Sequence, residues 1–209
     1  MTPFLIGIAG PSCAGKTELA SALAAWLPGH VPVVSLDSYY RPLDHLTLEE
    51  RAATNFDHPD ALDWELIIRD TARLAGGERI DEPVNLFDRH TRASHARGVE
   101  AAPYMIVEGL FTFHREEVRA RLQAKYFVIA PMDVCLARRR RRDVAERGRT
   151  PESVDKQFND TVRPMAEQFV LPTRAYADLV LSGEMPMEES TAMARNHLRE
   201  LTGTRAMAS

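Results

Sequence analysis

The sequence has only two cysteines, Cys13 and Cys135, and they lie far apart. That excludes a disulfide framework and a Cys-rich metal site, and a reducing compartment, the cytoplasm, is the expected location. No apolar run approaches the ~18 residues of a membrane span. Residues 1–10 have neither a basic start nor a long apolar stretch, so no signal peptide is expected there. His45, His58, His90, His95 and His114 show no zinc-ligand spacing, and no zinc site is expected. Excess positive charge is missing too: 26 Lys and Arg stand against 30 Asp and Glu, a net charge of −4. That gives no support to a general nucleic-acid binder. Internal repeats and low-complexity linkers are also lacking.

What is present suits a globular core. The 209 residues are 44% hydrophobic and 27% charged, enough for one domain, or one core plus a small lid. Phe4–Ala9 is a nearly continuous apolar run, the pattern of a strand buried on both faces. Further strands are predicted at Val31–Leu36, Tyr104–Val107, Tyr126–Ala130 and Leu179–Leu181. Helices are predicted at Lys16–Leu27, Asp63–Ala75, Val134–Glu146, Pro151–Phe169 and Glu188–Leu201. Thr150 followed by Pro151 is a good helix start, and Pro164 is expected to kink or end that helix. The alternation predicts an α/β domain with a parallel sheet. Ser38–Asp60 and Gly77–Pro103 break it: both are long and polar, with only short helical hints. Loops of that length are usually functional, and acceptor binding is expected there.

Gly10–Thr17 reads GPSCAGKT, which fits G-x-x-x-x-G-K-[ST]. Gly10, Pro11, Ser12, Cys13, Ala14 and Gly15 bring backbone N–H groups around phosphates without bulk. Lys16 reaches the outer phosphates, and the Thr17 hydroxyl is a Mg²⁺ ligand. The following helix turns its positive end to the same anion. A buried strand before the motif and a helix after it give the context that the motif requires. ATP and Mg²⁺ are therefore expected. Cys13 reads as a small residue fitting a tight turn, with a redox switch as the alternative.

Phosphoryl transfer also needs a metal shell and a group to take the acceptor proton. Asp37 follows VVSL and Glu108 follows YMIV, each at a predicted C-terminal strand end beside the loop. Asp37 is a candidate base, a candidate metal contact, or both. Glu108 is a candidate Mg²⁺ ligand, direct or through water. Each carboxylate would otherwise serve as a helix cap or turn residue.

With these motifs in place, a wider resemblance emerges. GPSCAGKT, SLDSYYRPL (Ser35–Leu43), NFDHPDALD (Asn55–Asp63), IVEGLF (Ile106–Phe111), RRDVAERGR (Arg141–Arg149) and FVLPTRAYADLVL (Phe169–Leu181) resemble the uridine kinase family, in order and spacing, over about residues 4–182. The resemblance implies a P-loop NTPase-type three-layer α/β domain with a five-stranded parallel sheet and a small acceptor-side hairpin. One domain spans 1–209, with acceptor-binding insertions about 38–60 and 77–103 and a helical lid about 138–158. The implied reaction is ATP-dependent phosphorylation of uridine or cytidine to the 5′-monophosphate, in pyrimidine salvage. Asp37 becomes the base for the ribose 5′-hydroxyl and Glu108 a member of the Mg²⁺ shell. Tyr40 lines the nucleoside pocket, Asp57 bonds the ribose hydroxyls and His90 approaches the base edge. Arg139, Arg147 and Arg149 come from the lid, with Gln157 near the nucleoside. A homo-oligomer, dimer or tetramer, is implied, with a small-molecule nucleoside as partner and neither membrane nor nucleic acid.

One segment departs from the family. Where the family usually has P-x-Y-[DS]-[FY] before HTR, this chain has PVNLF (Pro83–Phe87). Asn85, which both donates and accepts hydrogen bonds, replaces a tyrosine. This leaves open another small hydroxyl acceptor, such as pantothenate or a sugar phosphate. A non-catalytic nucleotide-binding regulator is a third reading, motivated by the run Arg138–Arg142. Within that run Arg138, Arg140 and Arg141 are expected to be solvated surface charges, and Arg147 and Arg149 to flank a hinge at Gly148. Trp26 and Trp64 are expected to pack in the core.

Overall fold

The computed structural model describes residues 2–86, 89 and 91–203. Five strands form one parallel sheet: β1 (Phe4–Ala9), β2 (Val33–Ser35), β5 (Tyr104–Glu108), β6 (Ala124–Ile129) and β7 (Leu179–Ser182). Their order is β2-β5-β1-β6-β7, with β1 at the centre. The period of two explains why β1 is apolar throughout. Leu5 and Ala9 face one half of the core and Ile6 and Ile8 the other, and all four are 0% exposed. On one face lie α1 (Lys16–Trp26) and α8 (Met187–Thr202), which contribute Leu19, Leu23, Ala194 and Leu198. On the other face α3 (Trp64–Ala75) contributes Trp64, Ile67 and Leu74, and the short α4 (Glu116–Arg119) adds Val118.

Each predicted strand and helix has a counterpart, with ends moved by a few residues. The main difference is in Gly77–Pro103. Its composition suggests loop, yet Ile80–Leu86 (β3) and Thr91–Val99 (β4) pair as an antiparallel hairpin, with a register irregularity between Pro83 and Asn85. The small hairpin that the resemblance implies is therefore present. Its composition concealed it because most of β4 is exposed on both faces, so no apolar alternation is written into the chain.

Pro164 neither ends nor interrupts the helical backbone. The chain runs from α6 (Pro151–Gln157) through a π turn at Phe158–Val162, α7 (Arg163–Met165) and a second π turn at Ala166–Val170 into a 3₁₀ turn at Leu171–Tyr176. The wide π turns on both sides accommodate the missing N–H and the bulk of the ring.

Two further helices are defined by local sequence at their ends. In α2 (Leu48–Ala52), Thr47 and Glu50 form a capping box. In α5 (Met132–Arg147) lies the arginine run, and it closes on Gly148 in the left-handed conformation. Among the described residues, no helix is long and apolar enough to cross a membrane.

Candidate active site

The C-terminal ends of β1, β2 and β5 lie side by side, and each strand ends at or just before a residue singled out from the sequence. β1 turns at Gly10, where φ is +146° and an added Cβ would stand 2.1 Å from the Val128 carbonyl oxygen. Only glycine fits there. The loop then closes on itself: the buried Lys16 ammonium donates to the Pro11 carbonyl at 2.8 Å. Cys13 takes φ +63°, the only non-glycine residue described with positive φ. Thr17 is exposed at the start of α1.

At the end of β2, Ser35 is in register with Glu108 at the end of β5. The Ser35 hydroxyl donates to Glu108 Oε1 at 2.9 Å and accepts the Asp37 backbone N–H at 3.4 Å. Asp37 sits in a 3₁₀ turn, Leu36–Tyr39, capped by that hydroxyl. Burial raises the Glu108 pKa, and the Lys16 ammonium pulls it back. Two carboxylates, a hydroxyl and a lysine thus converge on the phosphate-type loop.

A cleft of about 1000 Å³ opens beside them. Ser12, Asp37, Tyr40, Asp57, Asn85, Arg139, Arg147, Arg149 and Gln157 all line it, so half of the residues expected at the site share one space. Glu108 is buried behind that wall, with 6% exposure. His90 and Phe87 lie outside the described residues. Burial raises the Asp57 pKa, opposed first by Arg139. Burial, reinforced by Asp37 and Asp57, holds the Tyr40 phenol well above its usual value, so it stays protonated. The Tyr40 ring meets Phe56 edge-on at 5.2 Å.

Local sequence explains how this wall is built. In the Asn55–Asp63 block, the Asn55 side chain accepts the Asp57 N–H at 3.1 Å, and His58 Nδ1 accepts the Asp60 N–H at 3.2 Å. Asp63 caps α3 by accepting the Leu66 N–H at 3.2 Å. Trp64 is buried and donates to the Pro59 carbonyl at 2.8 Å, which makes it a packing residue. The hairpin is tied to the same wall. Arg92 donates to the Tyr39 carbonyl at 2.9 Å and to Asp63 at 3.2 Å, and Thr91 donates to Asp44 at 2.6 Å.

The opposite wall comes from α5 and α6. Arg139 is buried; it donates to the Ser12 hydroxyl at 3.1 Å and to the Gln157 side-chain carbonyl at 3.1 Å. Arg149 donates to the same Gln157 oxygen and to the Ser153 carbonyl. Beneath them Asp143 has 0% exposure and faces Arg139 at 3.5 Å, Arg142 at 2.8 Å, Arg147 at 3.6 Å and Arg149 at 3.5 Å. Asp143 escapes a reading by motif alone, although it lies four residues after Arg139 and four before Arg147, the spacing of helix neighbours. Arg142, Glu146, Phe56 and Leu110 also line the cleft.

Arg138 is exposed, as expected, yet not free: it donates to the Gly183 carbonyl at 2.8 Å and, at longer range, to the Cys13 and Ala14 carbonyls. It lies where α5 passes the phosphate-type loop, a contact that no local pattern encodes. Arg140 pairs with Asp155 at the surface, and Arg141 is exposed.

The chain is similar to known proteins over most of its length. Residues 5–189 match the Phosphoribulokinase / Uridine kinase family. The chain is 42% identical over 182 residues to a uridine kinase of Chloroflexus aggregans, covering 87% of each chain. It is likewise 42% identical over 182 residues to one of Aliivibrio fischeri, covering 85% of each. Among solved structures, the phosphoribulokinase of Rhodobacter spheroides superposes with a TM-score of 0.65 at 13% identity, over 87% of this chain and 70% of that one.

Proposed function

The chain belongs to the Phosphoribulokinase / Uridine kinase family, and from that premise we propose that it transfers the γ-phosphoryl group of ATP to the 5′-hydroxyl of uridine or cytidine. It is a kinase, a phosphotransferase with a small-molecule acceptor. The observation that carries the reading is the shared cleft: the phosphate-type loop, Asp37 and Asp57 on one side, and the arginines of α5 and its following turn on the other.

In this reading the loop amides and Lys16 hold the ATP phosphates, with the N-terminus of α1 behind them. Asp57 takes the ribose hydroxyls, and Tyr40, Asn85, His90 and Gln157 surround the nucleoside. Asp37 orients the 5′-hydroxyl and accepts its proton as the new O–P bond forms. The P–O bond to ADP breaks, and charge spreads over the transferring group. Arg139, Arg147 and Arg149 stabilise that charge, a role worth about 10³–10⁵ in rate where an arginine supplies it. The segment about 138–158 serves as the lid, and the insertions about 38–60 and 77–103 serve the acceptor. Thr17, Glu108 and Asp37 form an all-oxygen donor set that suits Mg²⁺. Bound there, Mg²⁺ would supply neutralisation of phosphate charge. Pyrimidine salvage in the cytoplasm by a homo-oligomer completes the reading.

The test is to incubate the protein with Mg·ATP and uridine, cytidine, other nucleosides and pantothenate in parallel, and to measure ADP release with product identity. Uridine or cytidine 5′-monophosphate is the expected product. Turnover of a different acceptor alone would move the reading to that acceptor, with Asn85 as the first residue to examine.

A further inference from the structure

Ser35 stands outside the set of residues to which a chemical role has been given, yet three parts of the site meet on it. Its hydroxyl donates to Glu108 Oε1 at 2.9 Å. The same oxygen accepts the backbone N–H of Asp37 at 3.4 Å. Its own backbone N–H donates to Glu82 Oε1 at 3.3 Å. Glu82 belongs to β3, in the hairpin, and is 1% exposed. Its other oxygen is held by Arg97 of β4, whose Nε approaches to 2.9 Å and which also donates to the Val33 carbonyl at 2.8 Å. So the buried Glu82, paired with the exposed Arg97, holds the end of β2, and Ser35 at that end bonds both Glu108 and the Asp37 backbone.

The parallel register gives the reason. Ser35 and Glu108 end neighbouring strands as direct partners, so their side chains leave the sheet in the same direction. Glu108 is buried, and a carboxylate oxygen there needs a donor. The small hydroxyl of serine supplies one and still has lone pairs for the Asp37 N–H.

We propose that Ser35 is a positioning residue that sets Glu108 and Asp37 relative to each other before Mg·ATP and the acceptor bind. It touches neither substrate; it acts through the two carboxylates. The inference rests on the reading of Glu108 as a metal ligand and Asp37 as the base.

The experiment is calorimetric titration of ATP into the protein, with Mg²⁺ and with chelator, for wild type, Ser35→Ala and Ser35→Thr. Wild type is expected to bind ATP more tightly with Mg²⁺. Ser35→Ala should lose about tenfold of that enhancement, the size of one hydrogen bond to a charged group. Its affinity for metal-free ATP should stay unchanged, because the phosphate loop is not touched. Ser35→Thr keeps the hydroxyl and should keep the enhancement. In turnover assays Ser35→Ala should lower kcat more than it raises KM for the nucleoside. If the alanine variant does not fold, Ser35→Cys, close in size and a weaker donor, should show a smaller loss in the same direction. A wild-type enhancement in Ser35→Ala, or in Ser35→Cys where that variant replaces it, with only a lower Tm would overturn the proposal and leave Ser35 as a turn cap. Absence of any Mg²⁺ effect in wild type would instead overturn the metal reading of Glu108, and this inference with it.

Discussion

Arg139 reaches the Ser12 hydroxyl at 3.1 Å, across 127 residues of sequence. It bridges α5 to the phosphate-type loop side chain to side chain, next to the Arg138 contacts with the loop carbonyls. Because Arg139 is buried and also bonds Gln157, its guanidinium is held in place before any ligand binds. Arg139→Ala should reduce kcat by about 10³ or more, in the range seen when such an arginine is removed. Arg139→Lys should recover little, since a single ammonium cannot reach both partners in fixed geometry. Steady-state kinetics with varied ATP and nucleoside would check this.

Asp37→Asn should abolish transfer and leave ATP binding intact. Loss of a general base costs about 10²–10⁴ in rate. Turnover near the wild-type level would remove Asp37 from the chemistry. Lys16→Ala, by contrast, should weaken both ATP binding and turnover.

Asp143→Asn should destabilise the protein by about 3 kcal/mol, because one fully buried anion then no longer balances the guanidiniums around it. Thermal unfolding should show the loss, and added sulfate or phosphate should recover part of it by screening and binding the arginines. Wild-type Tm in Asp143→Asn would mean that the arginines are kept apart by other means.

Glu108→Gln should stabilise the protein near pH 7 while impairing Mg²⁺-dependent turnover. Burial raises the folded-state pKa of Glu108 above its unfolded value. The native state therefore binds a proton more tightly than the unfolded chain, and wild-type stability falls as pH rises through the window between the two pKa values. Above that window the buried carboxylate carries its desolvation penalty, and the amide removes it. The gain should appear as a higher Tm of the amide variant near pH 7 and should vanish below the ordinary carboxyl pKa. Tm of both proteins measured from pH 3 to pH 8 decides the matter.

Gly183→Ala should impair the phosphate-type loop from a distant segment. An added Cβ would stand 2.1 Å from the Ala14 carbonyl oxygen, and Arg138 already ties the Gly183 carbonyl to this region. Displacement of the loop by about 1 Å can cost about 10²-fold in rate. Loss of ATP affinity with far-UV circular dichroism unchanged is the expected result.

The elements legible in the sequence are those whose signal is local. Phe4–Ala9 reads as a doubly buried strand because every position is apolar. The loop from Gly10 to Thr17 is legible because its motif sets backbone N–H groups at fixed spacing, with Gly10 and Gly15 at positive φ. The placement of Asp37 and Glu108 at strand ends is legible because each follows a short apolar run. The Asn55–Asp63 block writes its own turns, with Asn55, His58 and Asp63 each bonding backbone a few residues on.

The tertiary structure alone decided what depends on partners distant in sequence. β4 shows no apolar alternation and Glu82 interrupts that of β3, so their pairing with each other is what makes them strands. Pro164 breaks an ideal helix on local grounds, and the surrounding packing selects π turns that tolerate it. Arg138 looks like surface charge until α5 is laid against the phosphate-type loop. Asp143 and Ser35 carry no motif of their own. A buried carboxylate and a small hydroxyl acquire meaning from what converges on them, four guanidiniums in one case and Glu108, Asp37 and Glu82 in the other. Residue type and short spacing determine local conformation and the chemistry available; which charges share a buried space is set by the crossing of elements that a linear pattern does not encode.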